Sequence, residues 1–449
     1  MNRDAIDFES GGVSTLFRRM LIPTLLGTLA MSAMTVIDGI IVGHGVGAVG
    51  VAAVNIVVPI YQIMSGLALM IGAGVSVVAS IHLAQQKFKV ARLNVTQALL
   101  AASLVATLLC LLMMINPEHT AVLLGASPTL LPHVVEYLVW LMPGFVMEMF
   151  GIIGLFVIRL DGAPRYAMWC NIIPAVLNAI LDWVCVFPLD MGVKGASVAT
   201  SICMSLGGVM SLAYLLFWAR DLRLELPKLS RKSLLLSLRN VGYQCRIGLS
   251  SLMGELSLAV LIYIGNIVFM RYLGDDGVGA FGIACYYTPF FFMVGNAIAQ
   301  SAQPIISYNY GAERWSEVAH ARRLLLYTSL GVGVVVTLLF VTIPEPLVSL
   351  FVSDDSAAGR IAIEGFPYYA VGIIFFILNV AIIGYYQSVE RVRRAMSFVA
   401  LRGVIFLLPA FVLLPMAFGV VGVWLAMPAA EILTLGVIFL LSQSKKRRG

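Results

Sequence analysis

The sequence predicts an all-α membrane protein, with twelve transmembrane helices in two six-helix lobes related by internal duplication. Three observations carry that prediction: a scarcity of charge, twelve apolar stretches of membrane-spanning length, and short motifs that recur between the halves. Of 449 residues, 60% are hydrophobic and 12% charged, and the mean hydropathy is +0.96. A soluble domain carries about a quarter charged residues, so the solvent of this chain is lipid.

A window of roughly 19 residues finds spans centred near Leu29, Leu67, Leu104, Phe145, Ala175 and Gly207 in the first half. The second half has centres near Ala259, Val294, Val334, Ile374, Leu407 and Ile432. Each span runs about 20 residues or slightly more, enough to cross ~30 Å of hydrocarbon. Pro23, Pro59, Pro143, Pro174, Pro289 and Pro409 fall inside spans, where membrane helices tolerate proline and often kink. The polar start, MNRDAIDFESGGVSTLFRR, leads into an apolar run too long for a cleaved signal peptide. It is expected to be a retained first span.

Arginine and lysine orient the spans. Arg3, Arg18 and Arg19 precede the first; Lys87, Lys89 and Arg92 lie between the second and third; Arg159 and Arg165 follow the fourth. A polar segment from Arg220 to Arg239 separates the sixth from the seventh, and Arg314, Arg322, Arg323, Arg391, Arg393, Arg394 and Lys445 to Arg448 continue the alternation. The intervening loops hold only Lys194, Arg271 and Arg360. The positive-inside rule therefore predicts cytoplasmic termini and a cytoplasmic central linker. The expected organisation is an amino-terminal lobe over 1–220, a linker over 221–240 and a carboxy-terminal lobe over 241–449.

Three matches support duplication. PLDMGVKGASVAT (Pro188 to Thr200) resembles PMAFGVVGVWLAM (Pro415 to Met427); RYAM at Arg165 to Met168 resembles RAM at Arg394 to Met396; VGV at Val49 resembles VGA at Val278. Six spans per half is an even number, so both repeats keep one orientation about an axis along the membrane normal. Such repeats are characteristic of transporters, with the substrate path at their interface.

Other classes are disfavoured. A net charge of +6 and a pI near 9.0 would suit a nucleic-acid partner, but the basic residues are scattered over short loops that report topology. Six cysteines and five histidines form no CxxC pair and no metal-spaced cluster. A membrane-embedded enzyme would show a motif such as HExxH, GxSxG or a Walker loop, and none is present.

Charged side chains at mid-bilayer are expensive, about 2.5–3.5 kcal/mol on insertion scales, and are functional candidates by default. Asp38 in the first span, Glu148 in the fourth, Asp182 in the fifth and Glu255 in the seventh qualify. Asn178 lies four residues before Asp182, so both share one helix face. Blander readings stand beside these. Asp38 could be a loop residue, Asp182 half of a structural ion pair, and Asn178 and Thr200 ordinary helix–helix hydrogen-bonding groups. Glu255 fits a hydrated cavity as well as a packing role, and Glu148 reads as structural. Arg246 and Arg402 lie toward the cytoplasmic ends of their spans and are expected to snorkel.

Over nearly its whole length the chain resembles the multidrug and toxic compound extrusion (MATE) transporters, most closely the MepA-like and DinF-like branch. The residues that carry the resemblance are Pro23 and Asp38 with VGHGVGAVGVAAV after them, IRLDGAP (Ile158 to Pro164), NAILD (Asn178 to Asp182) and GVKGASVAT ending at Thr200. The second half adds AQSAQPIISYNYGA (Ala299 to Ala312), YYQS (Tyr385 to Ser388) and GVVGVWLAMPAAE (Gly419 to Glu431). The resemblance implies a twelve-helix, two-lobe exporter working by alternating access. It maps a cation-coupling site onto Asp38, Asn178, Asp182 and Thr200. Some relatives have an Asn in the fourth span, where this chain has Gly151 and Gly154. Sodium-coupled relatives use carboxylates in the seventh and tenth spans; Glu255 fits the first, and the tenth span (Tyr368 to Tyr386) has none.

The expectation is thus a secondary active multidrug exporter of the bacterial inner membrane, not an enzyme. It would export amphipathic organic cations and drugs in exchange for protons or sodium, without a cofactor or resident metal. Its other partners would be membrane lipids, with no nucleic acid, and it would work as a monomer. Glu255, Gln300, Gln303 and Tyr286 are the candidate substrate-binding or second cation site, since carboxylates beside aromatic and Met-rich surfaces suit cationic, amphipathic ligands. A lipid-linked saccharide flippase of the same superfamily is the alternative; it would favour a cationic cavity, and mid-span Lys and Arg are few.

Overall fold

The computed structural model describes residues 6–9, 11–225, 230–352 and 356–446. Arg3, Arg447 and Arg448 of the basic clusters, and 226–229 of the expected linker, lie outside the described residues. The structure is 89% helical, with no strand among the described residues. In chain order the helices are α1 (Val13–Gly45), α2 (Ala48–Ala84), α3 (Phe88–Ile115), α4 (Pro117–Leu123), α5 (Leu131–Leu160), α6 (Pro164–Val186) and α7 (Gly192–Ala213). There follow α8 (Arg231–Gly311), α9 (Trp315–Thr342), α10 (Pro344–Ser349), α11 (Ala357–Ser388), α12 (Val392–Ala400) and α13 (Leu407–Lys446). One π-helical turn (Tyr214–Trp218) extends α7, and another (Leu401–Ile405) extends α12.

Among the described residues, ten continuous helical runs are long and apolar enough to cross a membrane. Two of them are double spans. The 81-residue α8 reverses at Gly274 (φ 66°, ψ −158°), and α13 bends at Gly419 (φ 59°, ψ −135°). Only glycine adopts such backbone angles without strain. Counting each leg gives twelve crossings. The repeat is visible in the backbone too: the positive-φ pairs Gly47 and Gly274, Gln86 and Glu313, and Gly192 and Gly419 are each 227 residues apart.

Lipid accounts for the outer surface. On α3, Leu104, Leu108, Leu111, Leu112 and Ile115 are 57–80% exposed, a helical stripe that water would penalise and hydrocarbon accepts. On α1, hydroxyls bond back to carbonyls four residues earlier, Thr24 Oγ1 to Met20 O at 2.8 Å and Thr28 Oγ1 to Thr24 O at 2.8 Å. Polar side chains thereby satisfy themselves inside an apolar span containing Pro23.

The chain forms two compact units, Met1–Leu252 with Pro304–Val318, and Met253–Gln303 with Ala319–Gly449. In the first, α5 packs on α7 and α2, while α6 packs on α1 and α7. Small residues let α5 and α7 approach closely. A Cβ on Gly208 would lie 2.3 Å from Met147 O, and one on Gly154 2.5 Å from Ser211 Cβ. Gly151, the other glycine of that stretch of α5, also faces Gly207 and Gly208 of α7. Just after α5, Asp161 ties down the π turn that extends α7 and the segment after it: its carboxylate accepts from Tyr214 Oη (2.9 Å) and from the backbone N–H of Arg220 (2.8 Å), Asp221 (2.8 Å) and Leu222 (2.9 Å). Burial raises the Asp161 pKa above the ordinary aspartate value, and these four donors oppose the rise.

The second unit has an aromatic core. Trp424 meets Phe269 edge-on at 4.7 Å between ring centroids, and Phe269 stacks on Phe281 at 4.4 Å across the Gly274 bend. Against Trp424 the chain places Gly365, where a Cβ would lie 2.0 Å from the indole. Here the structure corrects one expectation. Arg402 does not snorkel: it is 4% exposed and pairs with Glu431, Nη2 to Oε1 at 2.7 Å and Nε to Oε1 at 2.9 Å. The π turn over Leu401–Ile405 holds it, because an extra residue in the turn re-aims the side chains around it. Arg246 is exposed, in keeping with the snorkelling expected of it.

Candidate functional site

The face of α6 that packs inward is an i, i+3, i+4 stripe of Ala167, Cys170, Pro174, Asn178, Asp182 and Cys185. Trp169, Ile173, Val176, Ile180 and Trp183 occupy the opposite, exposed face. Asn178 and Asp182 therefore point into the first unit because their neighbours in the helical repeat are small or apolar. Both are 0% exposed. Asp38 lies within α1, seven residues before its end at Gly45, so it is a helix residue and not a loop residue.

These elements bring the four expected residues together. The Asp38 and Asp182 carboxyls lie against each other. Asn178 Nδ2 donates to Thr200 Oγ1 on α7 at 3.5 Å. Tyr137 of α5, 5% exposed, lies within electrostatic reach of both carboxyls, and Cys203 of α7 adjoins Asn178 and Asp182. Asp38 Oδ1, both Asp182 oxygens and Asn178 Oδ1 are buried without a well-formed hydrogen bond. Two bare carboxylates cannot hydrogen-bond each other; a proton between them would make the contact one. Four buried acceptor oxygens with no donor are costly unless something positive satisfies them. A proton or a small hard cation fits that donor set. Among the described residues no group of three or more His, Cys, Asp or Glu could hold a metal ion, so a bound sodium would also draw on the Asn and Thr oxygens.

The other candidates are spread out. Glu255 lies on the first leg of α8, beside Gly254, whose Cβ position is 3.1 Å from Phe292 on the second leg. Tyr286, Gln300 and Gln303 follow on that second leg. Tyr286 and Gln300 are 14 residues apart, roughly 21 Å along the axis. Gln303 is buried, while Tyr286 is exposed and stacks on Phe351 at 5.1 Å. Glu148 is buried in the first unit beside Tyr61, its Oε2 without a partner.

Sequence reasoning missed Tyr137, which carries no motif of its own. It also missed the buried cluster in the second unit, where Asn379 Nδ2 donates to Glu431 Oε2 at 2.7 Å and Arg402 lies over Phe376 at 4.1 Å. Glu431 closes the GVVGVWLAMPAAE motif, and its place in an apolar run was the available signal.

Fold and site together define a duplicated, polytopic membrane protein with paired carboxyls buried in one half. The MatE family model matches residues 23–184 and 252–412, once in each half, and the chain belongs to that family. It is 23% identical over 451 residues to the multidrug export protein MepA of Staphylococcus saprophyticus, covering 97% of this chain and 94% of that one. It is 24% identical over 454 residues to the FAD transporter of Shewanella oneidensis, covering 98% and 97%. Among solved structures, a mutant of the MATE transporter VcmN from Vibrio cholerae matches with a TM-score of 0.88 at 19% identity, over 97% of this chain and 98% of that one. A multidrug-resistance MATE transporter in an outward-facing conformation matches at 0.88 and 21% identity, over 98% and 97%.

Proposed function

We propose that this protein is a secondary active multidrug exporter of the bacterial cytoplasmic membrane, with both termini in the cytoplasm. It moves amphipathic organic cations outward by alternating access, in exchange for protons, and sodium can occupy the same site. The observation that carries this reading is the set of unpartnered oxygens on Asp38, Asp182 and Asn178, buried beside Thr200. Membership of the MatE family and full-length similarity to a multidrug export protein support the direction and the substrate class. The protein works as a monomer among lipids, with no resident cofactor and no catalytic step. Its Glu255, Gln300, Gln303 and Tyr286 line the substrate path at different depths.

Energetics constrain the exchange. One charge moving down 100 mV yields about 2.3 kcal/mol, and a tenfold solute gradient costs about 1.4 kcal/mol. One ion in for one monocation out moves no net charge and uses only the ion's own gradient. Two carboxyls permit a second inward ion, and then the membrane potential also drives export.

A second reading has one observation in its favour: a relative of equal similarity is named as an FAD transporter, and FAD is anionic. Proteoliposomes decide between them. A fluorescent organic cation should be moved under an imposed pH gradient in sodium-free buffer, and FAD should neither be moved nor compete. Transport only under a sodium gradient would refute the proton assignment; transport of FAD alone would refute the substrate class.

A further inference from the structure

The two legs of α8 do not lie wholly in one unit. Residues 231–252 and 304–311 group with the first unit, and 253–303 with the second. In the orientation proposed above, the first-unit portions are the cytoplasmic ends of spans seven and eight. Within the first unit they meet α2 and α3 along a seam of unusual composition.

Backbones touch there. A Cβ on Gly248 of α8 would lie 1.7 Å from Met70 O of α2, and one on Gly74 of α2 would lie 2.0 Å from Gln244 O. Farther down, a Cβ on Gly311 would lie 2.8 Å from Ile81 Cα. Neutral groups cross the seam at the same levels. Gln244 Nε2 donates to Asn94 Oδ1 at 2.9 Å and Asn94 O at 3.3 Å; Asn240 Nδ2 donates to Gln97 Oε1 at 3.1 Å; Ser80 Oγ donates to Pro304 O at 3.2 Å. Gln244 is 0% exposed, and its Oε1 is buried with no partner.

We propose that this seam is the inner gate of the transporter and that Gln244 is its latch; the proposal rests on the exporter reading. Glycine contacts part and re-form without repacking side chains, and they seal tightly because nothing stands between the backbones. Neutral amide bonds have small net worth, since water replaces them when the seam opens. The stranded Gln244 Oε1 gains a hydrogen bond on opening, which offsets part of what is lost. A buried ion pair like that of Arg402 and Glu431 would instead lock the closed state. Gln244 is a positioning residue, setting how often the seam is shut.

The test uses the full chain, with its native cysteines replaced, in inside-out membrane vesicles. Ser80→Cys serves as reporter, because Ser80 is 0% exposed within the seam and meets an impermeant maleimide only when the seam parts. Adding Gln244→Ala should raise the labelling rate on the order of tenfold, the loss of about one net amide bond. Adding Gly248→Val, a wedge, should raise it further and stop export. Ser127→Cys, on the opposite side, should label at one unchanged rate in intact cells in every variant. Labelling of Ser80→Cys that stays at the parent rate with Gln244→Ala overturns the proposal, even where the wedge variant fails to fold. Labelling needs no substrate. A rise without any organic-cation transport by the parent would leave the gate standing and refute the exporter reading.

Discussion

Replacing Glu431 should destabilise the second unit more than replacing its partner does. Arg402 and Glu431 are 4% and 3% exposed, and three N–H···O contacts of 2.7, 2.9 and 3.2 Å join them. Removing one member of such a buried pair costs about 3–5 kcal/mol, because the other is left uncompensated. The two deletions are not equivalent. A guanidinium keeps its proton in a protein, so Glu431→Leu strands a permanent cation over Phe376. After Arg402→Met the carboxyl can take up a proton, and Asn379 still donates to it at 2.7 Å. Glu431→Leu should therefore sit near 5 kcal/mol and Arg402→Met near 3 kcal/mol, at the two ends of that range. The double variant should return to within about 1 kcal/mol of the parent, as apolar replacements of buried pairs often do. Thermal unfolding in detergent at one fixed scan rate reads the order of the four proteins, since irreversible midpoints depend on rate. Glu431→Leu melting with the parent, or a double variant as low as the worse single one, would refute the reasoning.

Other outcomes follow from the first unit. Asp38→Asn and Asp182→Asn should each abolish active efflux at equal expression and unchanged melting; normal efflux from either removes that residue from coupling. Asp161→Ala frees four donors and should cost about 2–3 kcal/mol of local order, read as faster proteolysis across residues 219–225. Gly208→Ala drives a Cβ toward Met147 O and should destabilise by about 1–3 kcal/mol; Gly436→Ala, which meets nothing within 4 Å, should not. In intact cells an impermeant maleimide should label Ser127→Cys and spare Ser230→Cys, both exposed positions; the reverse pattern would invert the orientation.

Local pattern determined much of this protein. Charge scarcity and apolar runs marked twelve crossings, because each crossing must be apolar over its own length whatever it packs against. The motif repeats announced a duplication that the backbone repeats at Gly47 and Gly274. NAILD placed Asn178 and Asp182 on one face, since a helix puts residues four apart together regardless of its neighbours. Tertiary structure decided the rest. It set Asp38 against Asp182 from a helix more than a hundred residues away in sequence, and brought Tyr137 within electrostatic reach of both. It turned Arg402 inward onto Glu431 through a π turn, where span position alone suggested an outward-reaching side chain. It also divided α8 between two compact units, which a continuous apolar run does not disclose. Helical periodicity reports which residues share a face; what that face meets depends on contacts between distant segments, and only packing specifies those.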